Sequence, residues 1–152
     1  MIEFIYKNKT KFIRFLYCLL LSIANGYFFN YLNSKYYNYS SNENGLSEFS
    51  TTVKIFIIII IAPIVETLIF NLLPNQILNK FGINNKFLLV IIPSIIFSIF
   101  HLYHPIYGIM ALIGGIIMNW YFLYSHDKKK IAFLLVALLH SSYNLYGYLF
   151  VN

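Results

Sequence analysis

The sequence predicts an all-α membrane protein, a polytopic bundle of about five transmembrane helices, and three observations predict it. First, 59% of the 152 residues are hydrophobic and only 11% are charged, with a mean hydropathy of +0.68. A soluble domain carries roughly a quarter charged residues, so a water-soluble enzyme and a disordered tail are both excluded. Second, the charges cluster. Residues 15–34, 87–126 and 131–152 carry none, and residues 55–79 carry only Glu66. A spanning helix needs roughly 20 mostly apolar residues, so these runs hold one span each, except 87–126, which holds two. Third, Lys7, Lys9, Lys11 and Arg14 precede the first span, Lys80 and Lys86 separate the second and third, and Lys128, Lys129 and Lys130 separate the fourth and fifth. Only Lys35 and Lys54 fall on the other side. This positive-inside bias puts the N-terminus in the cytoplasm and the C-terminus outside. The net charge of +6 therefore reads as topology, and no nucleic-acid partner is expected.

Helix 1 is expected over residues 12–32. Ser22-Ile23-Ala24 is similar to a signal-peptide cleavage site after a basic start, but the apolar run continues through Tyr27, Phe28, Phe29 and Leu32, which favours an uncleaved helix. Cys18 lies in this run and is the sole cysteine, so no disulfide framework or thiolate metal site can form within one chain; it reads as a small buried hydrophobe. Residues 33–52, with Gly45, read as an outside loop whose Tyr36, Tyr37 and Tyr39 suit the membrane interface. Helix 2 is expected over 53–73, bent at Pro63, which cannot donate to the Ile59 carbonyl, and stopped near Pro74. Helix 3 is expected over 87–104, ending at His104-Pro105 because proline disfavours a helical residue before it. Helix 4 follows over 106–124, with Gly108, Ala111 and Gly115 at i, i+3 and i+7 as a small-residue packing face that Asn119 continues. Helix 5 is expected over 131–150. No repeat or long linker appears, so residues 1–152 read as one integral membrane domain.

Polar residues at membrane depth are costly and mark function by default. Glu66 sits near mid-membrane, 12 residues from Lys54 and 8 from Pro74. Helix 3 carries Ser94, Ser98 and His101 on one stripe, and helix 5 carries His140 and Asn144 at i and i+4. An inward-facing cluster of Glu66, His101, His140 and Asn144 satisfies these groups together. His104 and His126 lie near loop ends and read as interfacial.

These residues resemble a known family. Pro63-Ile64-Val65-Glu66-Thr67-Leu68-Ile69-Phe70-Asn71 resembles the first motif of the CAAX protease and bacteriocin-processing (CPBP, or Abi) family, a proline followed by Glu-Glu-x-x-x-Arg. Phe97-Ser98-Ile99-Phe100-His101 is similar to its Phe-x-x-x-His motif, and His140-Ser141-Ser142-Tyr143-Asn144 to its His-x-x-x-Asn motif. Phe100 and His104 also fit the second motif, but His104 sits at the predicted helix end, so His101 is preferred. The resemblance covers about residues 55–150. It implies an intramembrane endopeptidase in which Glu66 and His101 activate a water while His140 and Asn144 hold the oxyanion. Peptide hydrolysis needs such a base and such donors.

Two positions depart from the family: its second Glu is Thr67 here and its Arg is Asn71. Glu and Arg at i and i+4 would form an intrahelical salt bridge. Replacing both by neutral residues leaves no unpaired buried charge, so the departure reads as a swapped support, Thr67 pairing with Asn71. A metal is the other question. Glu66, His101 and His140 form the two-histidine, one-carboxylate set of a zinc site with an open position, but that use consumes the sole deep carboxylate, and no His-Glu-x-x-His pattern exists. No cofactor is therefore favoured, with zinc on that trio as the alternative. The expected partners are membrane lipids and a peptide or protein substrate, in a bacterial cell membrane. The competing reading is a non-catalytic membrane immunity or scaffold protein that uses the same cluster for helix packing. A proton- or metal-coupled carrier fits less well, because no repeat is present.

Overall fold

The structure is a computed structural model and describes residues 2–39 and 48–151; the expected loop glycine, Gly45, lies outside the described residues. Five helices follow one another, and no strand occurs among the described residues. They are α1 (Ile2–Leu32), α2 (Thr51–Lys80), α3 (Lys86–Phe100), α4 (Pro105–Ser125) and α5 (Lys129–Phe150). Four of the five, all but α3, are long and apolar enough to cross a membrane. At 15 residues, α3 spans only about 22 Å, against roughly 30 Å of hydrocarbon. Large apolar side chains cover the outside, among them Phe12, Leu20 and Leu134, each more than 60% exposed. A surface of that kind suits lipid rather than water.

Four boundaries differ from the sequence expectation: α1 begins at Ile2 and not at 12, and three ends differ, each for a local reason. α1 runs on into a π-helical turn, Asn33–Tyr37, closed by Asn38 in the left-handed region, where asparagine is tolerated. α2 does not stop at Pro74. Two π-helical turns, Ile57–Ile61 and Leu68–Leu72, interrupt its α geometry, and each is followed within two residues by a proline, Pro63 or Pro74, in the first turn of the next α section. Because α2 is continuous, each proline withholds one N–H from a carbonyl in the turn before it. The true stop comes at Gly82 (φ 78°), where Ile83 N–H bonds Leu78 O and Gly82 N–H bonds Asn79 O, the paired bonds of a Schellman C-cap. Finally, α3 ends at Phe100 instead of 104, because residues 101–104 form the turn into α4. His101 thus sits at the helix terminus (φ −113°, ψ 17°).

α4 is the central helix. One apolar core, including Cys18, Met118, Tyr121, Phe122, Val136 and Leu139, joins it to α1 and α5. A smaller one, Phe70, Phe97 and Ala111, joins it to α2 and α3. Gly108, Ala111 and Gly115 are all buried. A Cβ at Gly115 would lie 3.2 Å from the Ser94 Cα and 3.2 Å from the Phe97 ring, so the small-residue face lets the α3 and α4 backbones touch. Gly115→Val should destabilise the protein by about 1–3 kcal/mol through overpacking. Thermal unfolding in detergent checks this, and an unchanged midpoint would show that α3 is free to move away. Arg14 donates to Tyr124 O at 2.8 Å, Lys86 lies over the Tyr124 ring and Lys129 over Phe122. The start of α1, the α2–α3 connection and the α4–α5 connection therefore share one end of the bundle.

Candidate active site

Three helices bring the sequence-predicted residues to one place. α2 supplies Glu66, the end of α3 supplies His101, and α5 supplies His140 and Asn144. All four line a cavity of about 340 Å³. Glu66 Oε2 lies 3.8 Å from His101 Nε2 and 3.7 Å from His140 Nε2, with the Glu66 side chain 25% exposed to the cavity. Both separations exceed hydrogen-bond length and are of the kind a bridging water closes.

The tautomer of His101 follows from its other nitrogen. Nδ1 lies 2.8 Å from Phe97 O, and a carbonyl can only accept, so Nδ1 carries the proton. Neutral His101 then presents a lone pair at Nε2 towards Glu66. The ring is held by Phe97, 4.1 Å between centroids, with Phe70 edge-on to Phe97 behind it. Phe97 thus anchors His101 through both its ring and its carbonyl.

Asn144 is held by a defect in α2. In the π turn, Ala62 N–H bonds Ile57 O, five residues back. The next bond in that register runs from residue 63 to Ile58 O, and Pro63 has no N–H to give. Asn144 Nδ2 donates to Ile58 O instead, at 2.8 Å. Its second N–H is not used in that bond.

Glu66, His101, His140 and Asn144 thus keep the order and spacing of the three motifs and meet at one cavity. Residues 48–146, more than half of the chain, match the family described as Type II CAAX prenyl endopeptidase Rce1-like. The chain belongs to the CPBP family. No curated protein and no solved structure matches it. Membership makes this CPBP protein a membrane protease of the CAAX type with a peptide as substrate.

The support behind the site differs from the expected Thr67–Asn71 pair. Asn71 Nδ2 donates across to Asn119 Oδ1 on α4 at 2.8 Å. Asn119 Nδ2 in turn donates to Gly115 O at 3.0 Å and to Ser94 Oγ at 3.3 Å, and Ser94 Oγ to Val90 O. Thr67 is fully buried and its hydroxyl has no hydrogen-bond partner. The position of the family's arginine therefore carries an interhelical amide–amide hydrogen bond that ties α2 to α4 and, through Asn119, to α3. The polar stripe of α3 divides accordingly: Ser94 joins this network, Ser98 Oγ donates to Gly108 O at 2.7 Å, and only His101 faces Glu66. His104 caps α4, accepting from Tyr107 N–H, and stacks on Tyr39, while His126 accepts from Lys128 N–H. Tyr103, Tyr107, Tyr143, Asn25 and Met110 also line the cavity and carry no mark in the sequence that separates them from its other aromatic and polar residues.

The residue types of the trio are those of a zinc site. Among the described residues no group of three His, Cys, Asp or Glu side chains is placed to hold a metal ion, the Glu66–His101–His140 trio included, so no step is assigned to one. Activity should survive strong chelation, and elemental analysis of purified protein should find no stoichiometric zinc. Loss on chelation with recovery on adding zinc would make the trio ligands.

Proposed function

We propose that this protein hydrolyses a peptide bond of a membrane-associated or lipid-modified peptide, with water activated by Glu66. The carboxylate takes a proton from a water as its oxygen attacks the scissile carbonyl carbon. His101 Nε2, with its lone pair towards the same space, orients that water. The carbonyl oxygen becomes an oxyanion and accepts hydrogen bonds from His140 and from the unused N–H of Asn144. The proton on Glu66 then passes to the departing nitrogen, the C–N bond breaks, and a carboxylate and an amine leave. The observation that carries this reading is the convergence of both histidine Nε2 atoms on one oxygen of Glu66 at the wall of a cavity. Packing glue would be bonded directly, as Asn71 is to Asn119. The basic end of the bundle faces the cytoplasm in this proposal, and residues 1–152 act as one domain.

The test is hydrolysis in ¹⁸O-labelled water. Protein reconstituted in lipid vesicles is given a panel of membrane-inserted peptides, and products are read by mass spectrometry. A new C-terminus carrying ¹⁸O is expected. Absence of any fragment across the panel from correctly folded protein would count against the peptidase reading.

A further inference from the structure

Tyr107, in the first turn of α4, is anchored everywhere except at its hydroxyl. Its N–H donates to His104 O at 3.1 Å, with His104 Nδ1 at 3.4 Å. Its ring packs among those of His101, Tyr103 and His104, with centroids 6.1, 5.5 and 5.8 Å away. Among the described residues the hydroxyl makes no hydrogen bond, yet it is not sealed in the core as the Thr67 hydroxyl is. It lies within electrostatic reach of the Glu66 carboxylate and of the Tyr143 hydroxyl. A second, outer cavity of about 320 Å³, walled by tyrosines of α1, α4 and α5, adjoins the one that holds Glu66. Tyr107 from α4 and Asn144 from α5 line both cavities, so they stand together at the common wall, where a peptide reaching both would pass. The donors already assigned there are few. Neutral His140 has a single N–H, and Asn144 has one left after its bond to Ile58 O. A tetrahedral oxyanion can accept a third.

We propose that Tyr107 is a further catalytic residue, whose hydroxyl donates to the oxyanion beside His140 and Asn144. The inference rests on the peptidase reading. A hydrogen bond to an ionised acceptor is roughly twice as strong as one to a neutral acceptor. The O–H therefore holds the oxyanion more tightly than the carbonyl oxygen from which it forms, and the difference lowers the barrier. The phenol keeps its proton throughout, because Glu66 carries the one taken from water. The fixed ring spends no reorganisation at the moment of reaction.

The experiment uses the full chain in vesicles and Tyr107→Phe, which keeps the ring and its contacts and removes only the hydroxyl. On a fluorogenic membrane-inserted peptide that wild type cleaves, kcat should fall by ~100-fold with KM little changed. The unfolding midpoint should stay at the wild-type value, because the hydroxyl has no hydrogen bond in the folded protein to lose. A second measurement separates action on the oxyanion from action through Glu66. Its probe is a phosphonamidate copy of the same peptide, in which a tetrahedral phosphorus with an anionic oxygen replaces the scissile carbonyl. In Glu66→Gln protein, adding Tyr107→Phe should weaken binding of the phosphonamidate by ~100-fold and leave binding of the peptide itself nearly unchanged. A kcat near wild type, a loss carried by KM alone, a fall in rate matched by a fall in the unfolding midpoint, or equal weakening of peptide and phosphonamidate would overturn the proposal. Those outcomes leave the peptidase reading standing. Failure of wild type to cleave any peptide would remove that reading, and the oxyanion role with it.

Discussion

Glu66→Gln protein is expected to fold, unfold at a midpoint close to that of wild type, and cleave nothing above background. Glutamine keeps the shape of glutamate and can still hydrogen-bond to a bridging water, but its amide cannot take up a proton at neutral pH. Loss of a general base typically costs about 10²–10⁴ in rate. The loss here should lie at or beyond the upper end, because among the described residues no other Asp or Glu lines the cavity and residues 55–79 carry no second charge. His140 is assigned to the oxyanion; His101, with its proton on Nδ1 and a lone pair on Nε2, orients the water, and adding His101→Ala to Glu66→Gln should remove whatever turnover that lone pair sustains. Single-turnover cleavage of a reconstituted substrate measures the effect, with circular dichroism and thermal unfolding as the check on folding. Turnover near the wild-type rate in a folded Glu66→Gln protein would sink the glutamate mechanism.

The helices and the four cavity-facing polar residues were legible in the sequence for one physical reason. A membrane leaves few places for polarity, so Glu66, His101, His140 and Asn144 stand out against an apolar background. The same sparseness made the stop at Pro74 misleading. Proline normally ends a helix, but α2 widens into a π turn before each proline, and the bonds five residues back that define such a turn leave no sequence pattern of their own. The end of α3 was misplaced because His104-Pro105 marks the start of α4, whereas nothing local marks the earlier turn at His101. Asn71 was visible as a departure from the motif, and Asn119 as part of a helix face. Their 2.8 Å bond joins residues 48 apart, and only the packing of α2 on α4 decides between Asn119 and Thr67 as the partner. The outer cavity was hidden altogether. Interfacial tyrosines are common in membrane proteins, and whether they face lipid or one another depends on how α1 and α5 cross.

Asn144→Ala should lose both stability and rate, and a second substitution should separate the two losses. The Asn144 amide does two jobs in the arrangement described. One N–H replaces the donor that Pro63 withholds from Ile58 O, and the other is assigned to the oxyanion. Removing the side chain leaves a part-buried carbonyl unpaired, at about 1–3 kcal/mol, and removes an oxyanion donor, at about 10²–10³ in rate. Pro63→Ala restores a backbone N–H in the π register, so Ile58 O regains a donor from its own helix. In that background Asn144→Ala should cost little stability, since its bond is no longer needed, yet the rate should still fall by two orders of magnitude or so. The coupling between positions 63 and 144 should therefore appear in unfolding free energies and be absent from kcat, as a double-mutant cycle reports. Additive stabilities would show that Asn144 does not stand in for the missing proline donor. Recovery of kcat together with stability would show the reverse fault: Asn144 would then act only by holding α2, and with it Glu66, in place, leaving His140 as the oxyanion donor.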